Sequence, residues 1–354
     1  MSLFDWEQRK LGEVLLVNSG KDYKNLNKGN IPVYGTGGYM LSVNRALSNE
    51  NAIGIGRKGT IDRPQYLIAP FWTVDTLFFL TVKNQNDLKF FYALFQKINW
   101  KKYDESTGLP SLSKSTLNNI FLKNPNYKEQ KKIGLLLSQI EVLITLQQRK
   151  LRYLSAIKKS LLQNMLVDND LRPELRFTKF SGNWEQHKIS EMAKRLDNLR
   201  IPVTASNRKK GDIPYYGANG IQDYVEGFTH KGENILIAED GANNLDNYPI
   251  RLVKGKIWVN NHAHVLKAYK NCTDIQFLEF ELKKLNIYKY LVGGSRLKLN
   301  ADILMNISIK SPTLKEQKKI GFMLSLLEEN TIFQQRKLNK LELLNQFFLQ
   351  HMFI

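Results

Sequence analysis

A pattern of ten residues that occurs twice constrains this chain more than any other feature of its sequence. The copies read Pro-Asn-Tyr-Lys-Glu-Gln-Lys-Lys-Ile-Gly at 125–134 and Pro-Thr-Leu-Lys-Glu-Gln-Lys-Lys-Ile-Gly at 312–321. After each copy, no further proline or glycine occurs for about eight turns of a helix. Because proline is tolerated in the first turn of a helix but not in its interior, each copy predicts the start of a long α-helix.

Apolar residues continue from each motif at alternating steps of four and three, which is the spacing of a heptad repeat. This spacing predicts a helix that packs lengthwise on another helix, and we expect the two helices to form an antiparallel coiled coil. Matched glutamines near the two midpoints would then either hydrogen-bond to each other and set the register or face solvent. The predicted seam consists of Ile133, Leu137, Ile140, Ile144, Gln147, Leu151, Leu154, Leu161 and Met165, and of Ile320, Leu324, Leu327, Gln334, Leu338, Leu341, Phe348 and Met352.

The repeat extends beyond the helices, and a period this long indicates two copies of one domain plan rather than a solenoid. Trp6-Glu7-Gln8 returns as Trp184-Glu185-Gln186, and short apolar runs such as 77–80 and 235–238 predict buried strands. The predicted fold is α+β, with two mixed α/β globules joined by two long helices and a pseudo-twofold internal repeat. The predicted boundaries are 1–125 for the first globule, 126–166 for the first helix, 167–182 for a linker, 183–312 for the second globule and 313–354 for the second helix. Helices of roughly 58 Å would place the globules at opposite ends of a rod.

The charge balance points to nucleic acid. The chain has 354 residues, Lys+Arg 52 against Asp+Glu 33, a net charge of +19 and a pI near 9.7. A strongly basic surface is the usual electrostatic signature of a nucleic-acid-binding protein, although a basic proteome can produce the same excess. The single cysteine, Cys272, excludes a disulfide framework and fits a cytoplasmic protein. Apolar runs are short and interrupted by polar residues, so we expect no membrane span.

The motif heading each long helix, together with the Trp-Glu start of each globule, resembles the DNA-specificity subunit of type I restriction–modification enzymes. The resemblance covers nearly the whole chain, and segments 196–203, 214–221, 238–243 and 258–265 resemble one frequent type of target-recognition domain. It implies a non-catalytic chain in which each globule reads half of a split, asymmetric DNA site. It also implies that the helices fix the separation and dock two methyltransferase subunits that use S-adenosylmethionine, and that a translocase–endonuclease subunit joins for cleavage. This chain itself would need no cofactor. A lead-in at 171–183 precedes the second globule, whereas only five residues precede Trp6.

Three motifs suggest catalytic or metal chemistry, and each has a plainer alternative. Asn124-Pro125-Asn126-Tyr127 resembles the box of an adenine methyltransferase but lacks its second proline, and a loop entering a helix explains both repeats. Gly35-Thr36-Gly37-Gly38 is neither a dinucleotide loop nor a P-loop, which leaves a turn that approaches a phosphate or a purely structural turn. His262 and His264 with Glu239 and Asp240 lack a third ligand at metal spacing. We therefore predict a hydrogen-bonding network there and no metal site.

Basic and amide side chains in Gly-, Asn- and Ser-rich loops are the DNA-binding candidates. Phosphate contacts need positive charge and reach, whereas base reading needs arginine, asparagine or glutamine at a groove edge. Arg57, Asn219, Gln222, Asn243 and Asn244 are therefore the candidates for base reading. The remaining candidates, which suit phosphates, are Arg45, Lys58, Lys114, Arg208, Lys209, Lys210, Lys231, Arg296 and Lys298.

Two other classes of protein compete with this interpretation. A stand-alone DNA methyltransferase or nuclease would need a cofactor loop with a catalytic box, or clustered metal-binding carboxylates, and the sequence presents neither pattern. A structural coiled-coil adaptor would leave two basic globules of the same plan unexplained. We therefore predict a sequence-specific DNA-binding scaffold.

Overall fold

A computed structural model describes residues 6–167, 170–294 and 297–353. The first half contains β1 (Glu7–Lys10), α1 (Leu11–Val14), β2 (Leu15–Ser19), β3 (Lys28–Gly35), β4 (Gly38–Val43), β5 (Ala52–Gly56), β6 (Gln65–Leu67), β7 (Trp72–Thr73), β8 (Leu77–Val82), α2 (Leu88–Lys97), α3 (Lys114–Asn119), β9 (Phe121–Asn124) and α4 (Tyr127–Met165). A 3-10 helix lies at Trp100–Tyr103.

The second half follows the same plan, with one long strand in place of β6 and β7 and an additional pair of two-residue strands after its second short helix. It contains β10 (Glu185–Lys188), α5 (Ile189–Met192), β11 (Ala193–Arg195), β12 (Lys210–Gly217), β13 (Gly220–Val225), β14 (His230–Ala238), β15 (Ile250–Val259), β16 (Ala263–Ala268), α6 (Ile275–Lys284), β17 (Leu291–Val292), β18 (Lys298–Leu299), α7 (Ala301–Asn306), β19 (Ser308–Ser311) and α8 (Leu314–His351). Its 3-10 helices are Asp197–Leu199, Ala205–Asn207 and Ile287–Tyr290. The mixed α/β repeat with two long helices is confirmed.

The chain is divided into two compact units. Unit 1 comprises Met1–Arg149 with Gln335–Ile354, and unit 2 comprises Lys150–Gln334. The unit borders therefore fall inside α4 and α8, whereas the predicted domain borders lie outside the two helices, at 125/126, 166/167, 182/183 and 312/313. In unit 1 the sheets have the strand orders β2-β8-β5-β6, β4-β3-β7 and β1-β9. In unit 2 one six-stranded sheet has the order β11-β16-β14-β15-β12-β13, beside the pairs β10-β19 and β17-β18.

The repeated motif joins each long helix to the globule that precedes it. Gln130, almost fully buried, accepts a hydrogen bond from the backbone N of Asp87 at 2.9 Å, and its amide nitrogen donates to the carbonyl of the proline that opens the motif. Gln317 makes the same two bonds, with Asp274 as its donor. Asp87 and Asp274 are the N-cap residues of α2 and α6. Because a buried amide must be fully hydrogen-bonded, this glutamine fixes where each long helix starts.

The glycine that closes the motif permits the close approach of two helices. A Cβ added at Gly321 would lie 2.5 Å from Asp274 Oδ1 and 2.7 Å from the backbone N of Phe277. Gly134 meets the N-terminus of α2 in the same way. Any larger residue would therefore push the long helix away from the capped end of the shorter one.

Within unit 1, the segments of α4 and α8 run antiparallel. Phe348, near the end of α8, packs against the same core cluster as Leu137, near the start of α4. Farther along, Gln148 Nε2 lies 3.5 Å from Glu342 Oε1. The order of these contacts is opposite along the two segments, as expected for the predicted pairing.

Unit 2 contains the corresponding antiparallel pair. Met165, at the end of α4, shares a core cluster with Ile320, near the start of α8. Lys158 Nζ lies 3.1 Å from Glu328 Oε1. Every residue of the predicted seam is buried or half-buried, and Gln147 and Gln334 are both 7% exposed.

The chain between α4 and the second globule is packed rather than loose where the structure describes it. Arg176 Nε and Nη2 each lie 2.8 Å from a carboxylate oxygen of Glu316, the glutamate of the second motif. Phe177 packs against the cluster that contains Trp184 and Ile320. The predicted linker is therefore part of the core of unit 2 from about Leu175 onward.

The main sheet of unit 2 is strongly curved. β15 starts beside the end of β14, and only three residues separate its last residue, Val259, from Ala263, which pairs with Ala238 at that same end of β14. A straight strand of this length would span about 33 Å, whereas three intervening residues bridge at most about 14 Å. Gly232 and Gly255 lie opposite each other, each with φ +94°, a conformation that favours glycine. The bend brings the loop after β15 to the edge where β14 ends.

None of the helices in the described ranges has both the length and the apolar character that crossing a bilayer requires.

Candidate nucleic-acid interface

Three loops of unit 1 meet at the edge where β3 and β5 end, and we call this edge the first loop face. It consists of the turn Gly35–Gly38, the loop 57–64 and the loop 104–112. Gly59 N donates to Pro110 O at 2.8 Å, which joins the second loop to the third. Gln65 Nε2 donates to Gly35 O at 2.9 Å and to Thr36 O at 3.2 Å, which holds the turn against β6.

The corresponding edge of unit 2 is the second loop face, formed by the turn Gly217–Gly220 and by loops 239–249, 260–262 and 293–298 where they are described. Asn219 joins the first two segments, because its Nδ2 donates to Gly241 O and its Oδ1 accepts from Asn243 N, both at 2.9 Å. Asn260 Nδ2 lies 3.4 Å from Gln222 Oε1, which ties the third segment to the hairpin β12–β13.

Matching backbone hydrogen bonds show which residues of the two loop faces are equivalent. Arg57 N donates to Thr76 O at 2.8 Å, and Arg57 O accepts from Leu112 N at 2.9 Å. Glu239 makes the same two bonds, with His262 O at 2.9 Å and with Leu299 N at 2.7 Å. An isolated bridge follows in both, Lys58 with Ser111 and Asp240 with Lys298. Arg57-Lys58-Gly59 and Glu239-Asp240-Gly241 therefore occupy equivalent positions with opposite charges.

The acidic residues of the second loop face are held in an ionic network. Glu239 Oε2 accepts from Arg200 Nη1 at 2.6 Å, and Lys298 Nζ lies 2.9 Å from Oε1. His264 Nδ1 lies 2.7 Å from Asp197 Oδ2, and its Nε2 lies 2.7 Å from Leu299 O. A carbonyl and an ionised carboxylate can only accept, so each ring nitrogen of His264 faces a hydrogen-bond acceptor.

This network has the character of a hydrogen-bonded ion cluster. Asp197, Glu239 and His264 offer ligand atoms within 4.8 Å of one another. Arg200 and Lys298 contact Glu239, and both ring nitrogens of His264 lie at hydrogen-bond distance from acceptors, so hydrogen bonds and ion pairs connect all three side chains. His262 Nδ1 and Asp240 Oδ1, 2.6 Å apart, form a separate pair. The histidine and carboxylate side chains thus form hydrogen bonds and ion pairs, and the absence of a metal at this place stays a prediction.

The network makes the carboxyl groups more acidic than usual. Burial alone would raise the pKa of Asp197, but the hydrogen bonds from His264 and from Val265 N outweigh it and lower the pKa. Burial would also raise the pKa of Glu239, but the hydrogen bonds from Lys298 and Arg200 outweigh it and lower the pKa. Both carboxylates are therefore ionised in the folded protein at neutral pH.

Acid should loosen β14 and β16 selectively. Because both folded-state pKa values lie below the unfolded values, the unfolded state binds more protons, and stability falls as the pH falls through that range. The stability that the ionised Asp197 and Glu239 side chains contribute is fully present above about pH 4.5 and is lost progressively below it. Hydrogen exchange, corrected for intrinsic rates, should show reduced protection at 235–238 and 263–266 at pH 4 relative to pH 6. The equivalent amides of β5 and β8, beside Arg57 and Phe78, serve as the internal control, and an equal loss there would contradict the assignment.

The structure places seven of the candidate residues on the loop faces. Arg57 and Lys58 lie on the first face and are exposed. The second face carries Asn219, Gln222, Asn243, Asn244 and Lys298. Asn219 uses its amide to join two loops, and Asn244 Oδ1 accepts from the backbone N of Asp246 and of Asn247. Their side chains shape the face as well as line it.

The other described candidates lie elsewhere. Arg45 follows β4, at the opposite end of its hairpin from the first loop face, and Lys114 lines a cleft with Lys10 and Lys83. Lys209 and Lys210 lie at the corresponding far end of the second hairpin, and Lys231 opposes Lys256 near the bend of β14.

Arg208 is already engaged within unit 2. Its guanidinium stacks on the ring of Tyr215 at 4.1 Å and lies 3.4 Å from an oxygen of Asp223. The remaining candidate, Arg296, lies outside the described residues. Within each unit, the described candidates therefore do not all lie on one surface.

Two arginines at the second loop face are not among the residues predicted from the sequence. Arg200 neutralises Glu239, and the guanidinium of Arg251 packs against Gly220, where an added Cβ would lie 2.9 Å from Nη1. Arg251 opposes Leu236 in the strand ladder, as Gln65 opposes Gly54 in unit 1. Only this strand register shows that Arg251 and Gln65 each reach the glycine turn of their own unit. No local sequence pattern distinguishes Arg200 or Arg251 from other arginines.

Comparison with known proteins gives the same result at three levels. The type I restriction modification DNA specificity domain matches at residues 4–156 and again at 181–343. A protein described as a type I restriction enzyme specificity subunit from Haemophilus influenzae is 45% identical over 143 residues, which span 40% of this chain and 37% of that protein. The MjaVIII specificity subunit of Methanocaldococcus jannaschii is 23% identical over 82% of this chain and 72% of its own length.

A solved structure shares the fold. The crystal structure of the S subunit of a type I restriction–modification system from M. genitalium aligns over 100% of this chain and 97% of its own, with a TM-score of 0.79 at 16% identity. The resemblance inferred from the repeated motif is confirmed, since the family match covers both repeats. The chain belongs to the type I restriction–modification DNA-specificity family.

Proposed function

We propose that this chain reads a bipartite, asymmetric DNA sequence, with one half-site for each globule, and contributes no active site of its own. The observation that carries the proposal is the pair of equivalent loop faces, built on one backbone plan but presenting different side chains. Equivalent frames would dock on duplex DNA in the same manner, and different side chains would select different bases. A net charge of +19 supplies the attraction to phosphates that such docking needs.

The exposed faces of the long helices support a second role, as a scaffold for two copies of one partner. In unit 1, Leu135, Val142 and Leu146 of α4 form a first apolar stripe, and in unit 2, Phe322, Leu326 and Phe333 of α8 form a second. All six side chains are between 47% and 64% exposed. At about 100° per residue, each stripe lies within an arc of about 40°. Exposed apolar patches of this kind mark protein–protein contact sites.

The partners in this proposal are two methyltransferase subunits, which bind S-adenosylmethionine and modify adenine, and a translocase–endonuclease subunit that joins for cleavage. Two matching stripes suit two identical subunits. The test is to co-express the full chain with its methyltransferase subunit and to map N6-methyladenine across the host genome. A single split motif is the expected result, and methylation without sequence preference, or none with a stable complex present, would overturn the proposal.

The spacer between half-sites should depend on the length of the helices. Inserting one heptad into both α4 and α8 would add roughly 10 Å along a helix, which corresponds to about three base pairs. We expect the methylated motif to keep both half-sites and to gain a longer spacer. An insertion in α4 alone, which breaks the pairing, is the matched control and should abolish methylation. An unchanged spacer in the double insertion would contradict the role of the helices.

A further inference from the structure

We infer that Arg57 reads a guanine in the half-site of the first globule, and that the equivalent position of the second globule, Glu239, has been removed from base reading. The inference rests on the proposed function and specifies the chemistry of one position within it. It follows from the contrast between two positions that share a backbone environment and differ in the sign of their charge.

The shared environment extends beneath the loop. Phe78 pairs with Ile55 in the ladder of unit 1, and His264 pairs with Ile237 in that of unit 2. The guanidinium of Arg57 lies over the ring of Phe78 at 5.8 Å, whereas Glu239 Oε2 lies 3.7 Å from His264 Nδ1. An apolar ring thus lies beneath a cation in one unit, and the imidazole ring of His264 lies beside an anion in the other.

Arg57 is available to a ligand and is already positioned. Its side chain is exposed and makes no ion pair with any residue in the described ranges. Its backbone N and O are both hydrogen-bonded, to Thr76 and Leu112, so the residue that presents the guanidinium is fixed on either side. Lys58, next in the chain, is also exposed. Two free cations at the end of a strand favour an acceptor-rich partner.

Glu239 has the opposite properties. Its side chain is 12% exposed, and both carboxylate oxygens are engaged by Arg200 and Lys298. With each oxygen already bound to a protein cation and the side chain largely buried, this carboxylate is poorly placed to accept from a base. The anion orders the protein cations around it, so we assign Glu239 as a positioning residue.

Guanine is the base whose chemistry fits Arg57. Its major-groove edge presents two acceptors, O6 and N7, which match the paired donors of a guanidinium. Adenine and cytosine present an amino donor at that edge, and a cation would meet a hydrogen there. Lysine carries the same charge without the planar pair of donors, so a lysine at this position would prefer guanine over the other bases less strongly.

The experiment uses the full chain with its co-expressed methyltransferase subunit and compares the wild type with R57A, R57K and R9A. Arg9 is the matched control, an exposed arginine on β1 that is bonded to Glu7 and lies outside both loop faces. The readouts are the genomic methylation motif and competition binding to duplexes in which each base pair of the first half-site is replaced in turn.

We expect the wild type to disfavour replacement of one guanine by roughly 5- to 150-fold, and R57A to lose most of that preference at this position alone. R57K should retain part of it, and R9A all of it, with the second half-site unchanged throughout. Weaker binding to every duplex by the same factor would show that Arg57 contacts a phosphate and would overturn the inference. An unchanged motif in R57A would also overturn it, while a split motif in the wild type would leave the proposed function standing.

Discussion

Replacing Arg176 by alanine is expected to lower the free energy of unfolding of unit 2 by about 3 kcal/mol. The guanidinium makes a two-pronged contact with Glu316, whose side chain is 1% exposed, so the substitution leaves a buried carboxylate without its counter-charge. The pKa of Arg176 is raised, first by its hydrogen bond to Glu316, which shows that the charged form is favoured. Hydrogen exchange at 317–324 of α8 and at 277–282 of α6 measures the loss.

One neighbour limits the expected loss. The indole Nε1 of Trp184 is buried and has no hydrogen-bond partner among the described residues, whereas Trp6 Nε1, its counterpart in unit 1, donates to Glu129 Oε1 at 3.1 Å. In the alanine variant Trp184 can turn to Glu316, which is why we expect a value near the low end for a broken buried pair.

The matched control for this prediction is R9A, which removes an exposed ion pair of similar length. The pair between Arg9 and Glu7 should contribute less than about 1 kcal/mol. The variant R176M/E316M removes both charges and should be more stable than R176A, because no unpaired charge remains. A loss in R176A no larger than that in R9A would mean that the buried pair contributes no more than a surface one.

Placing a charge on the apolar stripes should remove the methyltransferase partners one at a time. L146D in unit 1 and F333D in unit 2 each put a carboxylate at the C-terminal end of a proposed contact stripe, where it would be desolvated without a partner. We expect each to weaken binding at its own stripe by about 30-fold or more. Native mass spectrometry should then give one chain with two methyltransferases for the wild type, with one for either variant and with none for the double variant.

The control for the stripe variants is L171D, because Leu171 is 51% exposed but lies outside both stripes. It should retain both partners. If the double variant also retains both, the partners dock on another surface. Loss of both partners from either single variant would instead indicate that their binding is coupled.

Local periodicity made much of the fold accessible from the sequence. The motif residues Gln130 and Gln317 could be placed at helix starts because proline and heptad spacing are local signals, and runs such as 235–238 are strands in the structure. The contacts of these glutamines with Asp87 and Asp274 were not predictable, since they depend on two helices meeting in space.

The candidate site was less accessible, for a physical reason. The sequence predicts Arg57 as a base-reading residue because arginine near a loop can reach a groove edge. Its equivalence to Glu239, however, depends on strand register and on backbone bonds to distant loops. Composition also does not show which charged side chains are already bound to other groups of the protein. Arg208 carries the charge expected of a phosphate contact, yet its guanidinium is stacked on Tyr215 and paired with Asp223.

The two ends of β16 lie in different functional regions of unit 2. Ala263 begins the strand at the second loop face, and after its last residue, Ala268, the chain leads to Asp274, whose backbone is held by Gln317 of the long helix. Loop residues can therefore mutate, lengthen or be exchanged without disturbing the anchor about 20 Å away at the other end of the strand. Under the proposed function, such a layout would let a lineage acquire a new target while its assembly with other subunits is inherited intact.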